Sequence, residues 1–362
     1  MTLTVTRVPE PTLRRFAERV FAADGVDAER AAMLADGIVQ GALRGHPGQG
    51  QGMRRVPHYH GQIVRGEIDV HARPSVVTET PGFTLLDAGN GLGQIAAAQA
   101  MRAAMERAAA IGVGVAGVRH SNHLGIAAYT AMLALETGQI GICLSNAGPE
   151  MAPWGGLTPV LGTNPWGVAV PTGGAFPIVL DRALTTSGKG MIRWHAAQGL
   201  PIPDDWALTA DGRRTTDPVA ADAGPLLPIG AFKGTGLSLV TDVLAGVLTG
   251  AAFGRTPYAV DGNHDVGHFV IAVDVAHWMP IDQFHARVDQ FVGEVKASER
   301  LPGVDEILLP GELEHRRTVD RLRDGVPVPD ETLRDLRRLE TALGLPATLP
   351  EPAGQSALEV ER

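Results

Sequence analysis

The sequence predicts an α/β protein flanked by helical segments, on three observations. Apolar residues fall at helical spacing through residues 10–65. From about residue 75 short β-type runs alternate with helices, and an amphipathic helical pattern returns over 330–343. This divides the chain into a helical part (1–75 with about 300–345), an α/β part (76–299) and a tail (346–362) whose three prolines predict a mobile segment or one draped on a partner.

In chain order, Pro11 opens the first helix, with Leu13, Phe16, Val20 and Phe21 along one face. A second helix over 28–43 places Met33, Leu34, Ile38 and Val39 together, and a glycine- and glutamine-rich stretch ends it. Residues 59–65 form a short helix. Strands follow at 76–78 and 83–87, divided by Pro81-Gly82. An alanine-rich helix over 94–110 is apolar nearly all round, which predicts burial. Further strands fall at 113–118, 140–145, 166–170, 178–180 and 269–273, a buried helix at 237–249, and a helix at 281–297.

A chain of 362 residues with 44% hydrophobic residues has material for two domains. Its net charge of −9 argues against a nucleic-acid partner, which requires a basic face. No run approaches the ~18 apolar residues of a membrane span, and the N-terminus lacks the basic and apolar regions of a signal peptide. The single cysteine, Cys143, sits in an apolar run and reads as a buried small hydrophobe. Together these predict a cytoplasmic protein with neither a nucleic-acid nor a membrane partner, and no metal site is read.

Several polar residues stand where chemistry is possible. Asn122-His123-Leu124-Gly125 follows a strand-like run, where a glycine and free backbone N–H groups let a ligand approach; a histidine capping the next helix is the alternative. Lys233 suits a diphosphate or a ribose but equally a solvated surface. Arg54 and Arg55 are equal candidates for a bidentate grip on a carboxylate. Asp181 ends an apolar strand, as a functional group or a helix cap, and Glu312 follows a Pro-Gly turn. His195 reads as a packed histidine. Gly89-Asn90-Gly91-Leu92-Gly93 lacks the third glycine that a Rossmann fingerprint needs.

Taken in order, Asp87-Ala88-Gly89-Asn90-Gly91-Leu92-Gly93-Gln94, Ser121-Asn122-His123-Leu124-Gly125, Leu161-Gly162-Thr163-Asn164-Pro165, Leu180-Asp181, Lys189-Gly190, Pro201-Ile202-Pro203, Phe232-Lys233-Gly234-Thr235-Gly236 and Leu309-Pro310-Gly311-Glu312 resemble the signatures of the type 2 malate/L-lactate dehydrogenase family over residues 5–345. The resemblance implies a non-Rossmann α/β nicotinamide-binding fold with a helical domain, a homodimer, NAD or NADP as cofactor, and a small 2-oxo or 2-hydroxy acid (a small-molecule carboxylate) as substrate. By the same resemblance His123, Leu124 and Gly125 border the nicotinamide. Pro171, Thr172, Gly173, Phe232, Lys233, Pro310, Gly311 and Glu312 line the rest of the cofactor. Arg55, favoured over Arg54 by Val56-Pro57 and Tyr59, faces the substrate with Thr163, and Asp181 is the acid end of a proton relay.

One segment departs from the pattern. Where the family carries Ser-His-Gly, this chain has Gly45-His46-Pro47-Gly48-Gln49-Gly50-Gln51-Gly52, which puts Gly50 and Gln51, or in another register Gly48 and Gln49, at the serine and histidine. Glutamine has no titratable proton and cannot serve as a general acid. His46 is the first substitute for the proton donor, ahead of His58, His60 and His120, with Gln51 orienting the substrate. Two alternatives follow: reduction of an imine, which arrives already protonated, or cofactor binding without turnover.

Overall fold

The computed structural model describes residues 4–45, 52–259 and 263–356. The elements run β1 (Thr4–Val8), α1 (Glu10–Ala23), α2 (Ala28–Arg44), α3 (Arg55–Val64), β2 (Ser75–Glu79), β3 (Phe83–Asp87), α4 (Gly93–Ile111), β4 (Val113–Ser121), α5 (Ala127–Met132), β5 (Gln139–Ser145), β6 (Trp166–Val170), β7 (Ile178–Arg182), α6 (Lys189–Gln198), α7 (Pro218–Asp222), α8 (Phe232–Asp242), β8 (Val266–Asp274), α9 (Ile281–Lys296), α10 (Glu312–Asp324), β9 (Val326–Pro329), α11 (Asp330–Ala342) and β10 (Gln355–Ser356).

A seven-stranded sheet has the order β2-β3-β4-β8-β5-β6-β7. Only β3 and β4 run parallel; every other neighbouring pair is antiparallel. A Rossmann sheet is doubly wound and parallel, so this α/β fold is of another kind, as the family resemblance implied. Alanines of α4 and α5 (Ala96, Ala97, Ala100, Ala104, Ala127, Ala128, Ala131) pack on Val118, Cys143, Val270 and Ala272 of the sheet. Small side chains bring the helices close to the strands, and the buried environment pushes the Cys143 thiol up to about 12, which keeps it inert.

The helical segments have a second core built of larger side chains. Leu13, Phe16, Val20 and Phe21 of α1 meet Leu34, Ile38 and Val39 of α2, Tyr59 of α3, and Leu333 and Leu336 of α11. Asp27 caps α2 by accepting from the Arg30 N–H. Arg321 donates to Ala42 O at 2.5 Å and Arg317 to Gly45 O at 3.4 Å, so two cations of α10 satisfy the C-terminal carbonyls of α2.

Two sequence expectations are corrected. The described part of the tail is seated on its own chain: Leu349 is buried in the helical core, Thr348 donates to Glu340, and β10 pairs with β1. The helix expected to be buried over 237–249 is α8, continued by a π-helical turn at Val243–Val247, and it turns its apolar side outward. Leu237, Leu239, Val240, Val243, Val247 and Leu248 are all exposed. The inner face is polar because it makes hydrogen bonds: Asn164 Nδ2 donates to Ser238, and Trp166 Nε1 to Thr241. Among the described residues no helix is long and apolar enough to cross a membrane.

Candidate active site

The site begins where β4 ends. Asn122 is pinned by three donations from its Nδ2, to Asn90 O, Asn90 Oδ1 and Gly91 O, at 3.0, 3.1 and 2.8 Å. The backbone then turns through His123 and Leu124 to Gly125, whose φ of +86° favours glycine and where a β-carbon would lie 2.4 Å from Gln94 Nε2. Two residues later α5 starts.

His123 is locked by that turn. The Gly125 N–H donates to Nδ1 at 3.1 Å, and Tyr59 Oη lies 2.6 Å from the same nitrogen. A backbone donor requires Nδ1 to be bare, so the tyrosine hydroxyl also donates to it and the neutral ring carries its proton on Nε2. Desolvation, with Arg55 and His58 nearby, holds the imidazole well below its ordinary range. Burial likewise pushes the Tyr59 hydroxyl up to about 12, with Arg55 pulling the other way. Nε2 of His123 has no protein partner among the described residues.

Arg55 opens α3 one helical turn before Tyr59, a spacing that puts both on one face. Its Nε is buried and makes no hydrogen bond, whereas Arg54 is exposed. The other histidine candidates are committed or outward: His60 pairs with Asp24 at 2.7 Å, His120 with Asp87 at 2.9 Å, and His58 is exposed. His46 and Gln51 lie outside the described residues.

Asp181 occupies a separate pocket. It stands opposite Gly167 in the β6–β7 pair and accepts from the Ala128 N–H at the start of α5. Burial raises its carboxyl to about 6 against the opposing pull of Arg44. Arg44, the last residue of α2, is only 7% exposed; Nη1 lies 3.8 Å from Met132 Sδ, and Nε and Nη2 make no hydrogen bond.

The residues assigned to the remainder of the cofactor fall into two groups. Along β7, Val179 N–H donates to Pro310 O at 3.0 Å, placing Pro310 and Gly311 beside the strand. The β6–β7 loop begins with Pro171, Thr172 and Gly173 and is closed by Thr172 Oγ1 donating to Phe176 O at 2.7 Å. Glu312 is held by its own surroundings. Burial would raise its carboxyl, but Lys296 at 2.5 Å, the Leu309 N–H at 3.0 Å and Arg316 at 2.6 Å outweigh it and hold it below the ordinary range. The second group is Phe232 and Lys233, exposed at the start of α8; Thr163, expected at the substrate, accepts the Leu184 N–H through its carbonyl at 2.7 Å. No hydrogen bond or ion pair among the described residues links Phe232 or Lys233 to His123 or Asp181.

Sequence reasoning used Tyr59 only as a landmark and gave Asn122 and Arg44 no role. The four-residue step from Arg55 to Tyr59 was the available signal for the first. Nothing local marks the others, whose partners lie about 30 and 90 residues away. His195 is packed as expected, with Nδ1 2.9 Å from Pro201 O and its ring edge-on to Trp206.

Fold and site together describe a mixed α/β sheet with a locked neutral histidine, an arginine whose charge acts on it and, apart from them, a buried carboxylate. A family model described as malate/L-lactate dehydrogenase matches residues 8–337. The malate dehydrogenase of Pyrococcus abyssi is 35% identical over 349 residues, covering 94% of this chain and 95% of that protein. The solved malate dehydrogenase from Entamoeba histolytica superposes with a TM-score of 0.91 at 30% identity, covering 95% of this chain and 99% of that one. The sulfolactate dehydrogenase from Methanocaldococcus jannaschii gives 0.86 at 33% identity, with 94% and 98% covered. The chain belongs to the malate/L-lactate dehydrogenase family.

Proposed function

We propose that this protein is an NAD- or NADP-dependent oxidoreductase that moves a hydride between the nicotinamide and a small 2-oxo or 2-hydroxy acid. The observation that carries this reading is the Tyr59–His123 pair beside the unpartnered Nε of Arg55. The donor set fits a nicotinamide dinucleotide. Asn122 Oδ1 is buried without a partner at the same turn, Gly125 keeps that turn free of a side chain, and Pro171–Gly173 and Pro310–Gly311 lie along β6 and β7.

When bound, the nicotinamide supplies or accepts the hydride. Arg55 grips the substrate carboxylate and fixes which face of the carbonyl is presented. His123 points its Nε2–H at the carbonyl oxygen and stabilises the charge that develops there as a hydrogen-bond donor, Tyr59 and Gly125 hold Nδ1 as an acceptor, and the proton that completes the hydroxyl comes from water. His123 keeps Nε2 for a ligand and feels the charge of Arg55, so it is the residue proposed to take the place of the family's Ser-His pair. Asp181, in its dry pocket with Arg44, is the group that would adjust proton supply from behind α5.

The exposed apolar side of α8 supports a homodimer, because a monomer seldom leaves so continuous a stripe in water. Phe232 and Lys233, at the start of that helix, then serve a site shared between copies. We also propose that the helical part (1–75 with about 300–345) and the α/β part (76–299) are the two domains.

The test is a fluorescence titration with NADH and NADPH followed by turnover on a panel of 2-oxo acids and cyclic imines. Binding with reduction of a 2-oxo acid is the expected result. Turnover confined to imines, or binding with no turnover on any substrate, contradicts it.

A further inference from the structure

The β6–β7 loop meets an acidic group of α9 that the proposed chemistry does not use. Asp289 on α9 accepts the Gly173 N–H through Oδ1 at 3.2 Å. A β-carbon at Gly173 would lie 2.5 Å from Asp289 Oδ2 and 3.3 Å from His285 Cβ, so the glycine is what lets the helix approach the loop. Asp289 is half-buried and makes no ion pair with a lysine, arginine or histidine among the described residues. Its carboxylate is therefore positioned without being neutralised. One turn earlier, Nε2 of His285 is buried with no hydrogen-bond partner. The basic residues of α9 are Arg287 and Lys296. Arg287 is two positions away, on the opposite side of the helix, and Lys296 is paired with Glu312.

The place of this carboxylate along the sheet narrows what it can meet. Asp181 pairs with Gly167 and Ile178 with Val170, so the loop begins about 10 Å along β6 from the Asp181 pocket. Pro310 and Gly311, beside Val179, lie between the two. A dinucleotide whose nicotinamide lies at His123 would run along β6 and β7 and present its far half to Pro171–Gly173. Of the groups in that half, a diphosphate repels a carboxylate and an adenine ring offers it little. A ribose diol gives two hydroxyl donors to Oδ2, which the protein leaves unused.

We propose that Asp289, fixed by the Gly173 N–H, is the residue that selects NAD over NADP by accepting the adenosine ribose hydroxyls and repelling a 2′-phosphate. This rests on the cofactor reading above. A carboxylate within about 4 Å of a phosphate, at the effective dielectric of a protein surface, is worth well over tenfold in affinity.

Fluorescence titration of the full-length protein with NADH and with NADPH tests it, for the native chain and for Asp289→Asn and Asp289→Ser. Asparagine keeps an oxygen for the Gly173 N–H and removes only the charge. The native protein is expected to bind NADH at least about tenfold more tightly than NADPH. Asp289→Asn should erase most of that preference by tightening NADPH, with the melting temperature unchanged. Asp289→Ser should weaken NADH as well, having lost the acceptor. A native preference for NADPH, or a ratio that Asp289→Asn leaves unaltered, overturns the assignment while leaving the dehydrogenase reading in place. Failure of both dinucleotides to bind the native protein overturns the two together.

Discussion

Two desolvated histidines at the same end of the sheet meet opposite fates. His268, in β8, is fully buried and pushed down to about 3 by desolvation. Its Nε2 lies 2.9 Å from Ser121 Oγ and its Nδ1 2.9 Å from Ser145 Oγ, so both ring nitrogens are engaged and the side chain ties β8 to β4 and β5. His123 is also desolvated and neutral, but Tyr59 and Gly125 both address Nδ1 and leave Nε2 for something the protein does not provide. A displaced pKa alone does not separate a working histidine from a structural one. Unspent hydrogen-bonding capacity beside a second unspent group, here Arg55, does.

That contrast is broken most severely by substituting the two rings in turn. His123→Ala should lower turnover by about 10²–10³ with little change in thermal stability, as expected on removing a positioned hydrogen-bond donor to the developing oxyanion. His268→Ala should do the reverse. It leaves a cavity and strands the Ser121 hydroxyl, Ser145 Oγ keeping the Asn146 and Gly267 carbonyls, costing about 2–4 kcal/mol in denaturant unfolding, while the folded fraction turns over normally. Its pH signature sharpens the point. Below imidazole's ordinary 6.5 the unfolded chain takes up a proton that folded His268 refuses until about 3. Stability should therefore fall as pH drops through that window, by about 1.4 kcal/mol per pH unit, and the His268→Ala variant should lose that part of the slope.

Smaller effects distinguish neighbours. Arg55→Lys replaces a fork with a point charge and should raise KM for the 2-oxo acid about 10–100-fold, whereas Arg54→Lys, on the exposed position, should change nothing measurable. The smallest change is Tyr59→Phe, which removes one neutral hydrogen bond from Nδ1. It should slow turnover by up to about tenfold and shift the pH–rate profile, because the His123 tautomer is then held by Gly125 alone.

Much of the fold was legible in the sequence because its signals are local. The strand at 166–170 and the faces of α1 and α2 follow from periodicity, whereas the mixed, mainly antiparallel sheet was legible only through the family resemblance, because the glycine fragment at 89–93 by itself supports no fold. The strands β1 and β9 were not legible. β9 is four residues long and carries Pro327 and Pro329, which by ordinary rules demote a strand, and only its pairing with β1 some 320 residues away makes it one. The orientation of α8 failed for a related reason: its apolar residues gave the right element, but which side faces inward is decided by Asn164 and Trp166, distant in sequence. The site divides in the same way. Asn122-His123-Leu124-Gly125 and Arg55 were readable as motifs, whereas the partner that gives His123 its tautomer came from another helix.

The central claim concerns a single proton, and nitrogen NMR of protein labelled at histidine reads it directly. The account predicts that His123 is neutral with its proton on Nε2, and that adding oxamate with reduced cofactor shifts that nitrogen while the His268 resonances stay in place. A His123 that carries its proton on Nδ1, or whose Nε2 does not respond to the ligands, would contradict it.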